Sequence, residues 1–174
     1  MQTFLESESA QNLRNLHMPR YRELPGLELY MDQVISVIDK ILRPLVPEGS
    51  GPILTPTMIN NYVKQKLVHP PVKKRYNRDH LAYFLVVAML KPVFSIAEIS
   101  ALIRRQTEVA GTDVAYDRFC TELEDCIRGM LENGTVPQEP LPPTGQADLL
   151  RATVVSLVNK VYVEKYLEYA AHQE

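Results

Sequence analysis

Proline cuts this chain into pieces that can be helices and little else. The loop from Pro47 to Pro52, the pair Pro70-Pro71, Pro92 and the run Pro137, Pro140, Pro142 and Pro143 interrupt stretches whose apolar residues recur every three or four positions. Proline ends helices because it lacks an N–H and clashes with the preceding turn. The first stretch is Leu27 to Val46, where Leu27, Tyr30, Met31, Val34, Val37, Ile38, Ile41 and Leu42 form one stripe. The second opens on Thr55 as N-cap with Pro56 at the first helical position, and stops before His69. A third runs from Asn77 to Lys91, and the Ser95–Glu98 capping box starts a fourth that reaches Gln106. Thr112 to Glu132 is the fifth, closed by Asn133-Gly134, and Thr135 to Gly145 reads as a stiff extended connector. Ala147 to Ala171 is the last, apolar over so much of its circumference that it demands wide cover from its own chain or a second subunit.

With 174 residues, 45% of them apolar and 23% charged, the chain has the composition of one compact soluble body. The longest apolar stretch, Leu81 to Leu90, is too short to cross a bilayer and reads as a buried helix. Acids near the start, from Met1 to Glu8, do not fit an export signal, so the expected location is cytoplasmic. Cys120 and Cys126 are ill-placed on a helix for pairing or shared ligation and read as ordinary thiols. His17, His69, His80 and His172 are scattered without a second ligand at metal spacing, and His69 and His80 are expected beside phosphate or solvent. Glu122, Glu124 and Asp125 read as a solvated helix face. No nucleophile or carboxylate pair has a catalytic context, so neither an enzyme nor a cofactor nor a metal is expected.

Charge is distributed unevenly. From Gly49 to Arg78 there is no Asp or Glu, while Lys64, Lys66, Lys73, Lys74, Arg75 and Arg78 carry six positive charges. From Thr107 to Glu174 twelve acids face five bases. Within the basic stretch a helical wheel puts Met58, Ile59, Tyr62, Val63 and Leu67 on one side, and Thr57, Asn60, Asn61, Lys64 and Gln65 on the other. Hydroxyl, amide and ammonium groups with no acid among them are the groups that hydrogen-bond base edges. After Pro70-Pro71, the segment Val72-Lys73-Lys74-Arg75-Tyr76 has the length of a small hairpin whose cations lie along phosphates, with Val72 and Tyr76 tucked against the body.

The stretch LTPTMINNYVKQKLVHPPVKKRYNRDHLAYFLVVAML, with the upstream LPGLELYMDQVI, resembles the bacterial domain-of-unknown-function family 1836 over residues 19 to 106. More distantly it is similar to MerR-like winged-helix regulators, through the proline-bearing turn, the pair Arg75-Tyr76 and a helix start at Asn77 to Leu81. That likeness implies DNA binding. The expectation is an all-α protein: residues 1–106 form an N-terminal arm and a winged helix-turn-helix with a short β wing, and residues 107–174 an acidic helical part that dimerises or senses an effector. Thr57, Asn60, Asn61, Lys64 and Gln65 are the expected readers of double-stranded DNA, and Lys73, Lys74, Arg75 and Arg78 the expected phosphate contacts. A homodimer is the expected assembly, and no membrane contact is expected. Tyr162, Tyr166 and Tyr169 form a stripe on the last helix that suits core or subunit packing better than an effector pocket. The rival readings are a protein-interaction adaptor that docks an acidic partner on the basic stripe, and a binder of structured RNA.

Overall fold

The computed structural model describes residues 3–137 and 145–173, so most of the expected proline connector lies outside the described residues. Helix dominates. The α-helices are α1 (Glu8–Arg14), α2 (Met31–Leu42), α3 (Pro56–Lys64), α4 (Arg78–Leu90), α5 (Ile96–Asn133) and α6 (Gln146–Ala171), with short 3-10 turns between some of them. The fold is all-α in class. No helix is long and apolar enough to cross a membrane among the described residues.

The chain divides into two compact units. One comprises Pro19–Arg43 and Gly51–Asp117, the other Met1–Met18, Pro44–Ser50 and Arg118–Glu174.

In the first unit α4 is buried nearly all round, with Leu81, Ala82, Phe84, Leu85, Val87, Met89 and Leu90 in the core. Burying a side chain of that size contributes roughly 1.5–3 kcal/mol, so this helix anchors the unit. Against it packs α2, through the i, i+4, i+8 stripe Val34, Ile38 and Leu42. The first helix begins later than its periodicity suggests. Leu27 is 81% exposed and Tyr30 48%, outside the core stripe expected of them. The cause is a backbone pairing: Leu29 N–H donates to the Tyr76 carbonyl at 2.9 Å and Tyr76 N–H to the Leu29 carbonyl at 2.8 Å, which holds residue 29 extended. The helix then ends at Leu42, and Arg43–Leu45 is a 3-10 turn.

The fourth and fifth expected helices are joined as α5, broken at one residue. Gly111 has φ 76° and ψ 166°, a conformation open essentially to glycine alone. The Ser95–Glu98 box is formed: Ser95 N–H donates to Glu98 Oε2 at 2.7 Å, and Glu98 N–H to Ser95 Oγ at 3.3 Å. At the far end Gly134, at φ 68°, donates to the Met130 carbonyl and closes the helix.

In the second unit Val154, Leu157, Val158 and Val161 of α6 are buried. Phe4 reaches the tyrosine stripe, its ring centroid 5.4, 5.5 and 5.8 Å from those of Tyr162, Tyr166 and Tyr169. The stripe therefore packs within its own chain. Its own chain leaves part of α6 uncovered, since Val163, Tyr166 and Leu167 are 53%, 47% and 61% exposed. Cys120 and Cys126 are both buried, and burial pushes the Cys126 thiol up to about 12, so it is inert. Glu122 and Glu124 do not form a solvated face. Glu122 pairs with Arg151, and Glu124 accepts the Met18 N–H at 2.7 Å and faces His17. Their partners come from distant segments, and only Asp125, paired with Arg128, lies on the surface as expected.

Candidate nucleic-acid interface

α3 starts because Thr55 Oγ1 accepts the Met58 N–H at 3.2 Å and Pro56 occupies the first helical position. It seats itself by burying Ile59 and Tyr62, followed by Leu67 and Val68. Its far face is open. Thr57, Asn60, Asn61, Lys64 and Gln65 are all exposed, so the structure brings the five expected readers to one solvent-facing side.

The helix ends on an unusual residue. Leu67 N–H donates to the Tyr62 carbonyl and Lys66 N–H to the Val63 carbonyl, a closure that requires a left-handed residue at position 66. Glycine is the usual occupant, but here lysine sits at φ 59°. The same choice recurs downstream. Val72 and Arg75 exchange backbone hydrogen bonds at 3.2 and 2.9 Å across a two-residue turn whose central residues, Lys73 and Lys74, have φ 50° and 63°. Two successive positive φ values fit the turn type normally built from Asn-Gly. Side chains with a Cβ meet roughly 1–2 kcal/mol of steric cost in this region. Among the described residues, Lys66, Lys73 and Lys74 are the only non-glycine positions there.

The turn is held from below. Tyr76 is buried, pairs with Leu29, and packs its ring 5.4 Å from His80 and 5.8 Å from Phe84. His80 is buried rather than beside solvent or phosphate: Nε2 donates to the His69 carbonyl at 3.1 Å, and Nδ1 accepts the Asn77 N–H at 3.0 Å. Desolvation keeps its pKa below the usual imidazole range, although the bonds to the Pro70 and His69 carbonyls pull the other way. The imidazole thus stays neutral and props the 69–76 segment. His69 itself is exposed. Val72 is 66% exposed, so only Tyr76 of the expected pair tucks inward.

The cations fall into two groups. Arg75 is exposed but oriented, stacked 4.8 Å over the Tyr30 ring and donating to the Tyr30 hydroxyl at 3.0 Å. Arg78 serves the protein: Nε donates to the Leu24 carbonyl at 3.1 Å and the guanidinium lies 5.5 Å from the Tyr21 ring. Burial, with the Asp79 carboxylate that accepts its hydroxyl, raises that tyrosine's pKa to about 12. Lys64, Lys66, Lys73 and Lys74, by contrast, are exposed and have no carboxylate partner among the described residues. Lys66 was not among the expected contacts, although the wheel ran on to Leu67; its membership of the acid-free run was the available signal. Tyr30, which aims Arg75, carried no sequence signal.

No curated protein and no solved structure matches this chain. Residues 19–119, more than half of its length, match the model of the domain-of-unknown-function family DUF1836, and the chain belongs to that family.

Proposed function

We propose that the chain is a sequence-specific DNA-binding regulator of transcription. In this reading α2 and α3 act as a MerR-like helix-turn-helix pair, α3 enters the major groove, and the turn at Lys73-Lys74 serves as a short β wing on the flanking phosphates. One observation carries it. Four exposed lysines without carboxylate partners among the described residues stand around an exposed row of hydroxyl and amide groups, and three of them occupy backbone that lysine adopts only at a cost. Strain of that kind concentrates where function needs a particular side chain. Asn60, Asn61 and Gln65 have the groups for bidentate contact with adenine, and Thr57 for a base edge or thymine methyl. Lys64, Lys66, Lys73 and Lys74 supply charge to phosphates, with Arg75 and Arg78 beside them, and Arg78 Nε also holds the Leu24 carbonyl. A homodimer would present two copies of α3 to half-sites about one helical turn apart.

The test is selection from fragmented genomic DNA, followed by anisotropy titration across salt. The expected result is an enriched sequence class, with log affinity falling against log salt at a slope of about −4, some 0.9 for each lysine-contacted phosphate. Asn61→Ala should erase the preference among sequences, whereas Lys73→Ala should weaken all of them and flatten the slope by about one unit. No enrichment and no duplex binding at low salt sinks the proposal. Preference for looped RNA over duplex DNA would replace it with the RNA reading.

A further inference from the structure

The first unit holds a cleft of about 680 Å³ between the start of α2, the start of α3 and the Lys73-Lys74 turn. Its walls are chiefly apolar, from Tyr30, Ile35 and Pro71, and Asp32, Asn60 and Lys74 stand among the residues that line it. Each polar group narrows the occupant. Lys74, with no carboxylate partner among the described residues, attracts an anionic group and repels a cation. Asp32, exposed and likewise without an ion pair among the described residues, can only accept hydrogen bonds, so it repels a simple carboxylic acid and calls for N–H donors. Asn60 both donates and accepts. A purely apolar guest would leave all three unused. Tyr30 adds a flat aromatic surface whose position Arg75 fixes at 4.8 Å.

The occupant that satisfies these conditions together is a flat heterocycle with adjacent N–H donors and an attached anion. Guanine offers N1–H and the N2 amino group side by side, matched to the two oxygens of one carboxylate, and its nucleotide carries a phosphate. The volume lies inside the range of about 300–1,000 Å³ typical of small-molecule sites. We propose that this cleft binds one guanine nucleotide unit, its base edge at Asp32, its ring against Tyr30 and its phosphate at Lys74. That unit is either a free mononucleotide or an unpaired guanosine of a strand held on the adjoining basic face. The inference rests on the nucleic-acid reading only in its use of Asn60 and Lys74. A free nucleotide seated there would occupy two duplex contacts, making the cleft a competitive control of DNA binding.

The experiment uses the whole chain. Calorimetric titrations with GMP, AMP and inorganic phosphate run beside anisotropy titrations with a fully paired duplex and a duplex bearing one bulged guanosine. The expected result is saturable GMP binding at least tenfold tighter than AMP or phosphate. Asp32→Asn should abolish that preference. Ile35→Trp, which fills the cleft, should remove GMP binding while leaving the melting temperature unchanged. A tenfold preference for the bulged duplex without GMP binding assigns the site to a strand. Failure of both GMP and the bulge, or AMP binding as tightly as GMP, overturns the proposal whatever the paired duplex does. GMP binding without duplex binding keeps the cleft and removes the DNA reading.

Discussion

The basic face around α3 and the C-terminal helices spend their positive charges in opposite ways. Around α6, Arg128 pairs with Asp125, Arg151 with Glu122, Lys160 with Glu164 and Lys165 with Glu168, so these cations are answered within the chain. Around α3, four exposed lysines have no such partner among the described residues, and three occupy left-handed backbone. The contrast separates charge that holds a fold from charge presented outward. Removing the first kind should cost stability, and removing the second should cost binding.

The sharpest test of that division is charge reversal at the turn. Lys73→Glu with Lys74→Glu should lower duplex affinity roughly a hundredfold or more at about 0.1 M salt, because two phosphate contacts become repulsions. Thermal melting should stay within a degree or two, since neither ammonium group has a carboxylate partner among the described residues to lose. A large drop in melting temperature with unchanged affinity would reverse the assignment. The counterpart is Arg151→Met, which leaves the Glu122 carboxylate, only 16% exposed, without its partner. We expect about 2 kcal/mol of lost stability in urea unfolding and no change in duplex affinity.

A smaller effect bears on why lysines stand in the turn at all. Lys73→Asn with Lys74→Gly installs the residues this turn geometry favours, and should raise stability by about 1 kcal/mol while weakening duplex binding several-fold. A gain in stability with no loss in binding would show that the strain serves nothing. The opposed signs make this variant more informative than simple truncation, which reads binding alone.

How far these regions could be read from the sequence differs for a physical reason. The two faces of α3 were legible because a helix seated on a core buries one side of a 3.6-residue period, and Ile59 and Tyr62 against Asn60, Asn61 and Lys64 follow it. The Ser95–Glu98 cap and the Gly134 stop were legible because they close within four residues. The start of α2 was not, because Leu29 is drawn out by Tyr76, 47 positions away in the chain, through backbone bonds that leave no periodic trace. Glu122 and Glu124 misled in the same way, their partners lying 29 and 106 residues off. The cleft combines three separate segments, so its lining was invisible to any single-helix wheel.

The mildest expected effect is on acid sensitivity, where the two regions should part again. His80 has a folded-state pKa below its unfolded value, so the stability it contributes is present above about pH 6.5 and is lost as pH falls toward the folded value. Glu168 behaves differently. Burial draws its pKa up, but the Glu48 N–H and the Lys165 ammonium outweigh that and leave it lowered, so its contribution persists until pH drops below about 4.5. Hydrogen exchange resolved along the chain should therefore show the 69–76 segment and α4 loosening between pH 7 and 5 while α6 holds. His80→Gln should flatten the response of the first region only. Uniform loosening of both on mild acidification, or an unchanged response in that variant, would remove the neutral imidazole as the prop beneath the lysine turn.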